Sequence, residues 1–257
     1  MTYFHDIKQG IISWLQNFNE LSMEHPKYFE HVIFKNVGGV GKGSNKNGIN
    51  RNGWTMTGGI TVHNSSVNFL DCHFENFESE DALNIISSDF SLINTTFNNV
   101  VSDAFDGDFV RGKVSNCKFS KVQGDAADFS GSEVEIVDSQ FNEIFDKAIS
   151  VGENSRAKIL NSKITNVSFG VVSKDHSVTE VGRETVVDNA KIAAFSAFQK
   201  KPLFGPATLR VKDSFIKSSA KDFWIQEGSS SWNNGIPIHT SKFSTEKIYE
   251  SNFTSEN

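Results

Sequence analysis

The sequence predicts an all-β fold, a single-domain right-handed parallel β-helix whose coils are 22–23 residues long. Three observations predict it. A short phrase containing a small residue recurs at Ala82, Ala104, Ala126, Ala148 and Gly170, each step being 22 residues, and a fixed period of this kind means one unit stacked on its own neighbours. Between these phrases apolar and polar residues alternate, as in strands with one buried face, and the interruptions are Asn, Asp, Ser and Gly, as turns require. Each period is also too short for the helical crossover of a βαβ unit, which takes about 30 residues. Strands of successive coils must then pair directly, and like residues fall above one another inside. That accounts for 23 Phe beside only 3 Tyr, since a buried hydroxyl in every coil would need a partner.

In chain order, residues 1–27 read as an N-terminal cap. Ile7, Ile11, Leu15, Phe18 and Leu21 fall near helical spacing, which makes a helical cap one reading; "GIISWLQN" reads equally as a strand. Coils are expected over 28–219. Tyr28 to Val37 matches Val67 to Phe77, with Phe34 answering Phe74 and Val37 answering Phe77. One repeated apolar slot holds Phe74, Phe97, Phe119, Phe141 and Ile164, a second Phe77, Val100, Val122, Ile144 and Val167, and a third Leu92, Val114, Ile136 and Ile159. Loops interrupt the coils near 38–58, rich in Gly, Asn and Lys, and near 199–206, around Lys200, Lys201 and Pro202. The first loop offers Lys42, Lys46, Arg51 and Trp54 as residues lining a binding surface, with a solvated loop as the alternative. Residues 220–257 read as a last partial coil and a C-terminal cap.

Cys72 and Cys117 occupy one slot of the repeat, with Thr95 holding it in the coil between. Two coils separate the sulfurs by about 9–10 Å, beyond bridging distance, so free thiols are expected. A formal net charge of -6 offers no basic footprint for nucleic acid. No apolar run reaches about 18 residues and no secretion signal opens the chain. A cytoplasmic protein, or a domain of a longer exported one, fits that pattern, as does a monomer.

The phrases "EDALNI", "DAFDGDF", "DKAISVGENS", "SKDHS" and "QKKPLFGPA" resemble the right-handed parallel β-helix domains of the pectin-lyase-like superfamily. The likeness is greatest to β-helix modules of bacterial exported proteins that also carry spore-coat-kinase-like or lamin-tail domains. The resemblance implies an extracellular or cell-surface setting and recognition or cleavage of complex polysaccharide, often with Ca²⁺, on the outer face of one sheet. The enzyme motifs of the superfamily are absent: there is no NTD, GHG and RIK series, no RxPxxR and no DPHD. A non-catalytic carbohydrate-binding or cell-surface module is therefore the expected function, with a polysaccharide lyase or glycoside hydrolase as the alternative.

Alternation turns Leu83, Ile85, Phe105, Phe129, Ile149 and Val151 inward, so Asn84, Asp106, Asp128 and Ser150 should form one outward column. Asp106 and Asp128, on adjacent coils, would lie about 5 Å apart, close enough for one pKa to rise or for a cation to hold both. They are the candidate catalytic pair, with Lys174 beside them; Asp106, Asp108 and Asp128 are the candidate Ca²⁺ ligands. Asn84, Ser150, Trp54, Glu153, Lys200 and Lys201 are candidate substrate contacts. A second column, Asp81, Asp103, Asp125 and Asp146, precedes each strand, where aspartates accept backbone N–H bonds. Glu153 and Asp175 share a later slot, followed by His176, and a surface ion-pair cluster is the plain reading of that region.

Overall fold

The computed structural model describes residues 2–4, 27–38, 49–51, 54–246 and 248, and they form the parallel β-solenoid that the period predicts. Each coil contributes three strands, so three faces run along the axis. The site face stacks Gly58–His63, Asp81–Ile86, Asp103–Asp108, Ala127–Ser130 and the second halves of Gln140–Gly152, Lys163–Lys174 and Val186–Phe198, ending on Phe223–Ile225. A second face runs from Lys27–Glu30 through Val67–Leu70, Asp89–Ile93, Arg111–Ser115, Glu133–Val137 and Arg156–Leu160 to Ser230–Asn233. The third carries Val32–Val37, His73–Phe77, Thr96–Val100, Lys118–Val122 and the first halves of the long strands.

The interior is the expected ladder. Phe34, Phe74, Phe97, Phe119 and Phe141 stack with successive centroids 4.9, 4.5, 4.8 and 4.9 Å apart, and Ile164 continues the row. Corner residues knit the coils. Where the site face meets the second, Ser65 N donates to Ser88 Oγ, Val110 N to Ser132 Oγ and Ser132 N to Ser155 Oγ. At the next corner Cys72 N donates to Thr95 Oγ1 and Cys117 N to Ser139 Oγ, and both cysteines are buried and free. On the third face Asn36, Asn76 and Asn99 adopt left-handed backbone, which asparagine tolerates. Their amides form a chain, Asn76 Nδ2 to Asn36 Oδ1 at 2.9 Å and Asn99 Nδ2 to Asn76 Oδ1 at 2.8 Å.

One expectation changes. The 38–58 segment is not all irregular loop, because Ile49–Arg51 and Trp54–Met56 pair as an antiparallel ribbon; Lys42 and Lys46 lie outside the described residues. The expected N-terminal helix also lies outside them, while Thr2–Phe4 forms a strand on Val32–Val37. Beyond 219, Ser230–Asn233 pairs with Thr208–Val211, and the inward slot aligned with Leu209 holds buried Ser231. The chain then turns back as Ile236–Pro237, antiparallel to Trp232 and Asn233. No helix among the described residues is long and apolar enough to cross a membrane.

Candidate functional site

Register fixes what the site face presents. Thr61, Asn84, Asp106, Asp128, Ser150, Val172, Ser196 and Trp224 form one outward column, coil by coil. Its first half is polar. Its second half is covered: Val172 packs with Phe169, Ala193, Phe198 and Ile248, against which Trp224, Phe243 and Ile192 lie. The column direction is as expected, but outward does not mean exposed. Asn84 and Ser150 are buried, whereas Asp106, Asp108 and Asp128 keep partial access to solvent.

The acids are wired to one another. Asn84 Nδ2 donates to Asp106 Oδ2 at 2.8 Å and to Asp108 Oδ2 at 3.3 Å. Asp108 stands in a different column, aligned with Ile86 and Ser130. Asp103 Oδ1 accepts the backbone N–H of Asp125 at 2.7 Å, and Asp125 Oδ1 that of Lys147 at 3.0 Å; these aspartates do the turn work expected of them. Asp146 does not follow Asp125 in that column. Lys147 does, 22 residues on, and its ammonium joins Asp125 Oδ1 at 3.1 Å to Asp146 Oδ2 at 2.6 Å.

Burial sets the charge states. It pushes Asp103 up to about 8, with Asp125 adding repulsion, and Asp125 up to about 6 against the pull of Lys147. Burial, then repulsion from Asp81, Asp108 and Asp128, raises Asp106 well above the ordinary carboxylate range. Asp108 is raised by burial against the Asn84 hydrogen bond. Asp128 goes the other way. Burial would raise it, but Lys174 and then Lys147 outweigh that and hold it below its ordinary value. Lys174 Nζ lies 3.4 Å from Asp128 Oδ2 and both its coil and its column differ from those of Asp128. It reaches there across Gly152, where a Cβ would lie 2.6 Å from Lys174 Cε.

The other candidates lie at the rim. Trp54 sits on the ribbon, opposite Arg51. Lys201 Nζ pairs with Glu153, and the backbone N–H groups of Lys200 and Lys201 both donate to buried Asp175 Oδ1 at 2.7 Å, so Asp175 anchors the 199–207 loop. His176 is exposed beside Gly205. Lys200 is shifted down by burial and by Lys174 and Lys147. Among the described residues no group of three or more His, Cys, Asp or Glu side chains is placed to share a metal ion, so Asp106, Asp108 and Asp128 do not converge as a three-carboxylate set. Lys147 is the site residue that sequence reasoning missed; a lysine at the period of Asp125 was the available signal. Asp128 Oδ1 and Ser150 Oγ, neighbours in register, are both shielded from solvent, and the Ser150 hydroxyl helps to hold the Asp128 carboxyl low.

The family described as "Right handed beta helix region" matches residues 58–202. No curated protein matches the chain. Among solved structures, the catalytic domain of GH87 alpha-1,3-glucanase in complex with nigerose is similar at 11% identity with a TM-score of 0.24, over 72% of this chain. The chain spans 46% of that structure's length, and a likeness so remote carries no inference about chemistry.

Proposed function

The chain belongs to the right-handed β-helix family, and from that premise we propose that it is a non-catalytic carbohydrate-binding module that holds a glycan on the polar half of its site face. One observation carries the reading. The carboxyl groups of Asp106, Asp108 and Asp128 are partly open along this half, and Lys174 keeps Asp128 ionised. An ionised carboxylate only accepts hydrogen bonds, whereas a protonated one also donates. Vicinal sugar hydroxyls, which both donate and accept, supply the matching set. The Glu153–Lys201 pair and Lys200 border this half on one side, and Trp54 is the candidate contact from the ribbon. Display within a longer exported chain fits the same role.

A second reading has its own support. Asp106 and Asp128 are direct neighbours on adjacent strands, and their pKa values are pushed in opposite directions, the pattern of an acid and its ionised partner. Adjacent coils place them about 5 Å apart, the separation of a retaining glycosidase. Asp106 would then protonate the glycosidic oxygen and Asp128 would attack the anomeric carbon.

Affinity gel electrophoresis against a panel of neutral and uronate polysaccharides tests the first reading, with reducing-end release and unsaturated-product absorbance followed with and without Ca²⁺. Retardation that Asp128→Asn weakens, without turnover, is the expected result. Turnover abolished by both Asp106→Asn and Asp128→Asn would replace it with the second. Neither retardation nor turnover on any polymer sinks both.

A further inference from the structure

At the corner joining the site face to the second face lies a groove of about 940 Å³, built by residues 64–66, 87–89, 109–111 and 131–133 with Asn154 and Arg156. Five coils contribute, so it runs about 19 Å along the axis. Its backbone turns left-handed in coil after coil: φ is 51° at Asn64, 50° at Ser87, 54° at Phe109 and 62° at Gly131. Asparagine and glycine are at home there, and a bulky aromatic is not.

Phe109 gains little burial for that strain. It is 66% exposed, whereas Phe105 and Phe129, its site-face neighbours, are fully buried. The next coil makes room for the ring with a glycine, since a Cβ on Gly131 would lie 2.6 Å from Phe109 Cδ1. A strained, solvent-facing aromatic with space cleared beneath it is a feature that folding does not explain.

We propose that this groove is a binding site for a neutral polysaccharide, with Phe109 as its stacking platform. The charge balance sets the class. Asp89 and Glu133 offset Arg111 and Arg156 along the walls, and Arg111 Nε lies 3.4 Å from Glu133 Oε2. The ligand is therefore uncharged but rich in hydrogen-bonding groups. A peptide strand is disfavoured, because the N–H groups of Asn64, Ser87, Phe109 and Gly131 already donate to the next coil and leave no main-chain edge to extend. A pyranose needs no such edge. Its C–H face lies on the electron-rich face of the ring, while its hydroxyls meet Asn64, Ser87 and the guanidinium groups. The site shares no residue with the site face and does not depend on that reading.

The test is affinity gel electrophoresis of the whole protein with dextran, laminarin, xylan and, as a charged control, alginate, comparing wild type with Phe109→Asn and Phe109→Trp. Wild type should be retarded by at least one neutral polymer. Phe109→Asn should weaken that retardation about tenfold or more, while its Tm rises by about 2–4 °C as the strain is relieved. Phe109→Trp should keep binding. Neutral-polymer retention that survives Phe109→Asn in an Asp128→Asn background, where the site face is disabled, lies elsewhere on the molecule and overturns the groove. Retardation by alginate alone, by no neutral polymer, or a lower Tm in Phe109→Asn overturns it equally.

Discussion

Lys174 reaches across Gly152 to place its ammonium 3.4 Å from Asp128 Oδ2, two coils away in the stack. The ammonium is almost wholly buried, and the carboxylate is only partly open to water. Removing one partner strands the other charge. Lys174→Met should therefore destabilise the protein by about 3 kcal/mol, and the double variant with Asp128→Asn should recover most of that loss. Urea unfolding of the single and double variants measures both. A double variant no more stable than Lys174→Met would show that the pair is not coupled.

The raised aspartates make stability fall toward alkaline pH. Asp103, at about 8, and Asp125, at about 6, bind protons in the folded state that the unfolded chain has already released. Their contribution is complete below the ordinary carboxylate range and is lost as pH rises through those two values. Asp128 acts oppositely, its contribution being lost in acid below the ordinary range. Thermal melts across pH should show maximum stability on the acidic side of neutrality. Asp103→Asn should flatten the fall between about 6 and about 8.

Phe119 is stacked between Phe97 and Phe141 and is essentially inaccessible. Truncation to alanine opens a cavity in the middle of the ladder and should cost about 3–5 kcal/mol. Phe145→Ala, at a residue 51% exposed, should change stability by less than about 0.5 kcal/mol. Equal effects at the two positions would contradict the ladder as the source of stability.

Burial pushes the Cys117 thiol up to about 11 and raises Cys72 as well. Neither should react with Ellman's reagent until the protein unfolds, and two thiols per chain should then be counted. Fast titration of either thiol in the native protein would place it at the surface.

The period, the coil order and the phenylalanine row were legible in the sequence because a parallel stack repeats each side chain's environment at a constant step. Parity then gave the direction of each side chain. It could not give cover. Ser150 points outward yet is buried, and Val172, aligned with it in the next coil, packs with Phe169 and Ile248. Nor could the recurring aspartates be followed through by type: Asp146 keeps the residue but loses the slot, which Lys147 takes. The last coil, read as partial, departs from the apolar pattern because its slot is filled by Ser231. Phe109 reads in sequence as one more apolar residue of the coil; only its backbone conformation and exposure set it apart.

A stack whose every coil presents the same strand edges is open to adding a further coil from another molecule. Here the final edge of the second face is taken by Ile236–Pro237, which runs against Ser230–Asn233 in the opposite sense. An antiparallel strand cannot template a parallel one, and Pro237 has no N–H to offer. Head-to-tail addition of a parallel strand is thereby blocked on that face by two residues.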